Sequence, residues 1–215
     1  MNKKKHLYNK INSAELKLAL ANEPFKRITA SFYKYVDISV PNELRDELYE
    51  VWNQMGVFGR VYIADEGINA QVSIPQQNWE MFKDSVRNND LFRDVKIKKA
   101  IQEGSSFYKL KIKVRKELVA YDVPKESYDM RKVGKHLTAS EYNLALDRED
   151  STVVDMRNYY ESEIGRFENA IIPDVETSKE LLPEVKNLLK GKENEKILLY
   201  CTGGIRCEKA SSYLI

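Results

Sequence analysis

The apolar run Ile197-Leu198-Leu199-Tyr200 stops at a thiol, turns on two glycines and reaches an arginine: Cys201-Thr202-Gly203-Gly204-Ile205-Arg206. A helix-like stretch, residues 208–214, follows. This run, an earlier one at 152–156 and a helical pattern over 178–189 alternate strand with helix. Such alternation implies a parallel sheet with its site at the carboxyl edge. A strand that enters a helix through so short a turn aims backbone N–H groups at the Cys201 sulfur, near the positive end of the helix dipole. That field favours the thiolate, the nucleophilic form. Gly203 and Gly204 let the backbone curl where side chains would obstruct it.

Around this loop the residue types suggest roles. Cys201 is the candidate nucleophile, able to carry a persulfide or another covalent adduct. Arg206 closes the ring, and either holds an anion or pairs with an acidic residue to fix the loop. Thr202 and Ile205 complete it. Cys207 is either a resolving thiol or a residue facing the core. Asp155 and Arg157, at the end of the neighbouring strand, read as an internal ion pair that braces the cysteine loop rather than as direct catalysts. Glu161 is either a general base or a solvent-facing helix residue, and the second is expected.

Composition limits what else the chain can be. At 215 residues, with 42% hydrophobic and 32% charged residues, it has room for one large or two ordinary globular domains. No apolar stretch approaches the ~18 residues that cross a bilayer, so no membrane association is expected. The basic start 1–6 leads to no cleavage site, and 16–21 reads as a short helix rather than a signal sequence. Two cysteines six positions apart form no disulfide framework, which suits a reducing cytoplasm. With His6 and His136 they make no metal site of ordinary spacing, so no metal is expected. The net charge of +2 hides an asymmetry: nine basic and two acidic residues between Arg93 and Lys116, nine acidic and three basic between Glu149 and Glu180. A basic first half beside an acidic stretch is compatible with a domain that handles RNA.

Along the chain, 28–36 reads as a strand and Pro41 opens an amphipathic helix with Leu44, Leu48, Val51, Trp52 and Met55 on one face. Two strands, 57–64 and 68–74, flank Asp65-Glu66-Gly67, a hairpin turn, and Glu66-Gly67-Ile68-Asn69 reads as plain turn chemistry. A second helix starts at Pro75, 91–100 is a short edge segment, and 107–119 a long strand. The order β-α-β-β-α-β is that of the split βαβ, ferredoxin-like module. In the last strand Lys109, Lys111, Lys113 and Arg115 alternate with Leu110, Ile112 and Val114, which puts four cations on one face. They serve either solvation or phosphate-backbone binding, and Lys96, Lys98, Lys99 and two nearby aromatics bring the two into balance. The expected domains are an N-terminal helical extension over 1–27, a ferredoxin-like domain over 28–123, a linker over 124–136 and a second domain over 137–215.

The second half resembles the rhodanese superfamily. Its marks are the cysteine loop, Thr152-Val153-Val154-Asp155-Met156-Arg157, and Ile164-Gly165-Arg166-Phe167-Glu168-Asn169-Ala170-Ile171, where Arg166 stands for the usual histidine. Cysteine phosphatases have a wider loop around a phosphate, and the tighter ring here suits a persulfide better. The fuller strings 200–211 and 154–161, with Gly59-Arg60-Val61-Tyr62-Ile63-Ala64-Asp65-Glu66-Gly67-Ile68-Asn69-Ala70-Gln71, resemble the rhodanese-domain tRNA uridine(34) hydroxylases over roughly residues 28–215. The resemblance implies α/β and α+β architecture: a ferredoxin-like domain followed by a rhodanese-like domain with a parallel sheet. It also implies oxygen-dependent formation of 5-hydroxyuridine in tRNA, with molecular oxygen as co-substrate; no dedicated redox cofactor is expected. A sulfurtransferase passing persulfide sulfur from Cys201 to an acceptor is the alternative, and an RNA-binding protein with a vestigial loop a further one. Rhodanese domains ordinarily continue beyond the loop helix, so the domain is expected to be incomplete at its C-terminus and of low stability. Protein partners are not indicated by the sequence.

Overall fold

A computed structural model describes residues 7–101, 106–148 and 150–215. The first six residues of the N-terminal extension, and Glu103 and Glu149 of the two charge blocks, lie outside the described residues. The chain forms two compact units, 1–118 and 119–215.

In the first unit a short helix, α1 (Ser13–Ala21), precedes β1 (Arg27–Tyr35), α2 (Pro41–Gln54), β2 (Phe58–Ala64), β3 (Gly67–Pro75), α3 (Trp79–Arg87), β4 (Lys98–Lys99) and β5 (Leu110–Val114). Pro41 opens α2, where its fixed φ suits a helix and its missing N–H costs nothing. The strands stand in the order β4-β1-β3-β2-β5. All neighbours are antiparallel except β2 and β5, which run parallel. The first four strands with α2 and α3 are the ferredoxin-like arrangement read from the sequence.

The closing strand differs from the expectation. The slot beside β1 is filled by Lys98 and Lys99, two exposed residues with no apolar signal. The long run expected over 107–119 is a strand only over Leu110–Val114, and it is a fifth strand on the opposite edge.

One face of the sheet carries the core. Ala30, Phe32, Val61, Ile63, Ile68, Ala70, Val72, Ile74, Leu110 and Ile112 pack with Leu44, Leu48 and Trp52 of α2 and Phe82 and Val86 of α3. The rings of Trp52 and Phe82 lie 5.3 Å apart, and the Trp52 indole N–H donates to Ser85 Oγ at 3.2 Å. Burying side chains of this size contributes about 2 kcal/mol each, which makes this face the main support of the unit. The hairpin turn needs its glycine. Gly67 has φ of +144°, and a Cβ there would sit 2.0 Å from the Lys34 carbonyl oxygen.

The second unit contains α4 (Ala139–Leu146), β6 (Ser151–Asp155), α5 (Tyr159–Ile164), α6 (Ser178–Leu188), β7 (Lys196–Tyr200) and α7 (Ile205–Leu214). β6 and β7 are parallel, with Asp155 opposite Tyr200, and Ile171 bridges Val154 on the other side of β6. Val154, Met156, Leu181, Leu182, Val185 and Ala210 form its core, joined by Val119 and Tyr121. The division between units therefore falls at Leu118, before the end at 123 read from the sequence, because these two side chains belong to the second core. The stretch expected as a linker is also tied down: the Asp129 and Gly134 amides donate to Ser212 and Ser211 of α7. Lys209 on α7 is fully buried, its ammonium over the Tyr128 ring at 4.9 Å.

Candidate active site

β7 delivers Cys201 to the carboxyl edge of the sheet, and α7 begins four residues later. Both cysteines are free thiols and half-buried. Gly204 adopts φ of +102° at the start of α7, a conformation that L side chains rarely adopt, and this lets its N–H donate to Cys201 Sγ at 3.1 Å. Gly203 serves differently. A Cβ there would meet nothing within 4 Å, so its bareness leaves the approach to the loop open rather than avoiding an internal clash.

The sulfur is poised as an anion. A hydrogen bond from the Cys207 thiol, with amides of Cys207, Gly204 and Gly203, outweighs burial and lowers the Cys201 pKa to about 5. Cys207 moves the opposite way: its bond to the Cys201 thiolate, and burial next, hold it protonated far above the usual thiol range. At neutral pH the pair is one thiolate and one thiol.

Arg206 closes the ring, and its guanidinium is engaged by a carboxylate. Nη1 and Nη2 donate to the two oxygens of Glu161 at 2.8 and 3.1 Å, and Nη2 also reaches Thr202 Oγ1 at 3.1 Å. The Thr202 hydroxyl donates to Glu161 Oε2 at 2.7 Å. Arg206 first, with Thr202 and the Asn158 amide, lowers the Glu161 pKa to about 2, although burial works against it. Of the two roles read for Arg206, the structure shows the pairing with an acid. Glu161 corrects its own expectation: it is a half-buried clasp on the cysteine loop, not a solvent-facing helix residue.

Beneath the loop lies a second network. Asp155 is completely buried and accepts hydrogen bonds from Arg157 Nε at 2.9 Å, Arg157 Nη2 at 2.8 Å, Ser162 Oγ at 2.8 Å and Tyr200 Oη at 2.6 Å. Burial raises its pKa, but Arg157, Tyr200 and Ser162 outweigh it and keep the carboxyl below its usual range. Since Tyr200 precedes Cys201, the Asp155–Arg157 pair holds the strand end from which the loop springs. On α7 the Arg206 carbonyl accepts from the hydroxyl of Tyr121, itself buried.

Cys201, Thr202, Gly203, Gly204, Ile205, Arg206, Cys207, Asp155 and Arg157 thus converge within the second unit. Sequence reasoning missed Ser162, Tyr200 and Tyr121, and it named Glu161 without finding its partner Arg206. One signal was present for Glu161: its Oε1 accepts from the Asn158 amide, so Asn158-x-x-Glu161 is a helix-start pattern. The set Lys109, Lys111, Lys113 and Arg115 belongs to the sheet of the first unit. Lys111, Lys113 and Arg115 are exposed and Lys109 half-buried, while Leu110 and Ile112 face the core. Among the described residues no group of three or more His, Cys, Asp or Glu side chains could hold a metal ion, and no helix is long and apolar enough to cross a membrane.

Residues 27–118 match the family described as UPF0176 acylphosphatase like domain, in keeping with the ferredoxin-like first unit. Three curated relatives carry the name tRNA uridine(34) hydroxylase. That of Leptospira interrogans is 50% identical over 213 residues, covering 99% of this chain and 58% of its own. Those of Salmonella choleraesuis and Photorhabdus laumondii are 44% and 45% identical, each covering 97% of this chain and 60% of its own length. The chain spans about three-fifths of the length of these relatives.

Proposed function

We propose that this chain, a homologue of the tRNA uridine(34) hydroxylases over nearly all its length, acts in the hydroxylation of uridine 34 of tRNA to 5-hydroxyuridine. Cys201 is the reactive group on this reading and molecular oxygen the co-substrate: one oxygen atom enters the base, the other leaves as water, and a thiol reductant supplies the two electrons, without a dedicated redox cofactor. The observation that carries it is the Cys201 sulfur, held near pKa 5 by a neighbouring thiol and converging amides, in a chain 44–50% identical to proteins so named. Thr202, Gly203, Gly204 and Ile205 shape the loop, Arg206 fixes it through Glu161, and Asp155 and Arg157 position the strand end. Cys207 is the resolving thiol. Lys109, Lys111, Lys113 and Arg115 contact tRNA phosphates, and the reaction takes place in the cytoplasm.

Nucleoside analysis of tRNA from a deletion strain, carrying either the native gene or its Cys201→Ser form, tests the reading. The native gene restores 5-hydroxyuridine and the Ser form does not. Restoration by both would overturn the role of Cys201.

A sulfurtransferase is the second reading, favoured by the tight loop and the ionised sulfur, which suit a persulfide. Loss of a thiolated base from the deletion strain, with 5-hydroxyuridine intact, would select it. Intact-mass measurement after treatment with thiosulfate checks the same point, since a stable +32 Da adduct (roughly one sulfur) is its signature.

A further inference from the structure

The face of the first unit's sheet that looks away from α2 and α3 is built in rows. Strand register places Lys98, Ser31, Gln71, Arg60 and Lys111 in one row across all five strands. The next row, over four strands, is Tyr33, Asn69, Tyr62 and Lys113. Because side chains alternate along each strand, every one of these lies opposite the apolar core. Arg60, Gln71, Lys98, Lys111 and Lys113 are exposed, and Tyr33, Asn69 and Tyr62 half-buried. Neither row contains an Asp or Glu.

The two tyrosines are two strands apart, about 10 Å at ordinary strand spacing, with the Asn69 amide between them. The Tyr35 ring lies 6.2 Å from that of Tyr33, edge to face, and the Arg115 guanidinium 5.3 Å from the Tyr62 centroid. Rings and a guanidinium plane set among cations on an open sheet match an unstacked nucleic-acid strand. Bases stack on the aromatic or guanidinium planes, amide side chains read base edges, and cations meet phosphates. A duplex keeps its bases stacked on each other and gains only from the cations. An acidic protein partner would find complementary charge here, but no use for flat rings lying among the cations.

We infer that this face binds an unpaired RNA segment, stacking bases on Tyr33 and Tyr62, offering Asn69 and Gln71 to base edges and meeting phosphates with Arg60, Lys111 and Lys113. The inference deepens the reading of an RNA substrate by naming the single-stranded part of it and the residues that hold it. Stacking is sequence-tolerant, so this surface supplies affinity rather than choice of base.

The test is fluorescence anisotropy of the purified chain with a labelled single-stranded RNA of about ten nucleotides and with the matching duplex. Single-base stacking of ~1–3 kcal/mol predicts that Tyr33→Ala or Tyr62→Ala weakens single-strand binding about tenfold and leaves duplex binding unchanged. Tyr62→Phe restores the affinity, since the ring remains. Lys111→Gln with Lys113→Gln weakens both ligands and lowers the salt dependence. Unchanged melting temperatures establish that each variant is folded. Equal binding of strand and duplex, or Tyr variants with native single-strand affinity, would overturn the inference; so would binding of neither RNA. The rate of Cys201 alkylation is native in Tyr33→Ala and Tyr62→Ala, so failure of the catalytic reading and failure of this surface are read separately.

Discussion

The two units use their sheets in opposite ways. In the first, five strands bury one face under two helices and carry two rows of polar side chains, rings and cations on the other. In the second, two paired parallel strands bring the candidate chemistry to a single edge, where two bonded sets, Asp155 with Arg157 and Tyr200, and Glu161 with Arg206, support one loop. A surface whose side chains are largely in contact with water tolerates the loss of any one member. A closed network does not, because removing one partner leaves a desolvated group unpaired. The difference separates a place suited to holding a long ligand from one suited to activating a single atom.

That contrast can be broken most forcefully at Asp155. Asp155→Ala leaves Arg157 without its carboxylate and Tyr200 and Ser162 without their acceptor, and is expected to destabilise the chain by about 3 kcal/mol. A thermal melt checks this, and the loss should exceed that of any single change on the open face of the first unit. A smaller effect is expected within the loop itself. Gly204→Ala at φ of +102° should cost about 1–2 kcal/mol, while Gly203→Ala, with open space at its Cβ, should cost less than about 0.5. Equal costs at the two glycines would contradict the assignment of the positive-φ requirement to Gly204 alone. The smallest effect belongs to the first unit: Lys111→Gln or Lys113→Gln should change stability by less than about 0.5 kcal/mol. A melt of each variant would sharpen the contrast between the two regions.

The sequence made the strand, the cysteine turn and the following helix legible, because an apolar run, two glycines and a helix start are all local signals. Alternation from Lys109 to Arg115 likewise located the cationic face, since period two needs no tertiary information. What stayed hidden depended on contacts distant in sequence. Lys98–Lys99 closes the ferredoxin-like sheet through register with Ala30 and Ser31, with two exposed lysines and no apolar mark. The 107–119 run had the pattern of a strand, but pattern cannot choose the edge on which it pairs. Glu161 looked like an ordinary acid in a first helical turn, and only Arg206, some 45 residues on, makes it a clasp. Tyr121 read as the end of the first domain, yet its ring is buried in the core of the second and its hydroxyl holds the Arg206 carbonyl.

The ionised sulfur is most directly tested by the rate of iodoacetamide alkylation of Cys201 as a function of pH, followed by peptide mass spectrometry. A pKa lowered to about 5 means that the thiolate is lost only as pH falls through 5, so the rate should rise around that pH and stay level from about 6.5 to 8. In Cys207→Ala the midpoint should move upward, because the thiol that donates to the sulfur is gone while the amides remain. A native midpoint near the ~8.5 of an unperturbed cysteine, unmoved by that substitution, would contradict the account.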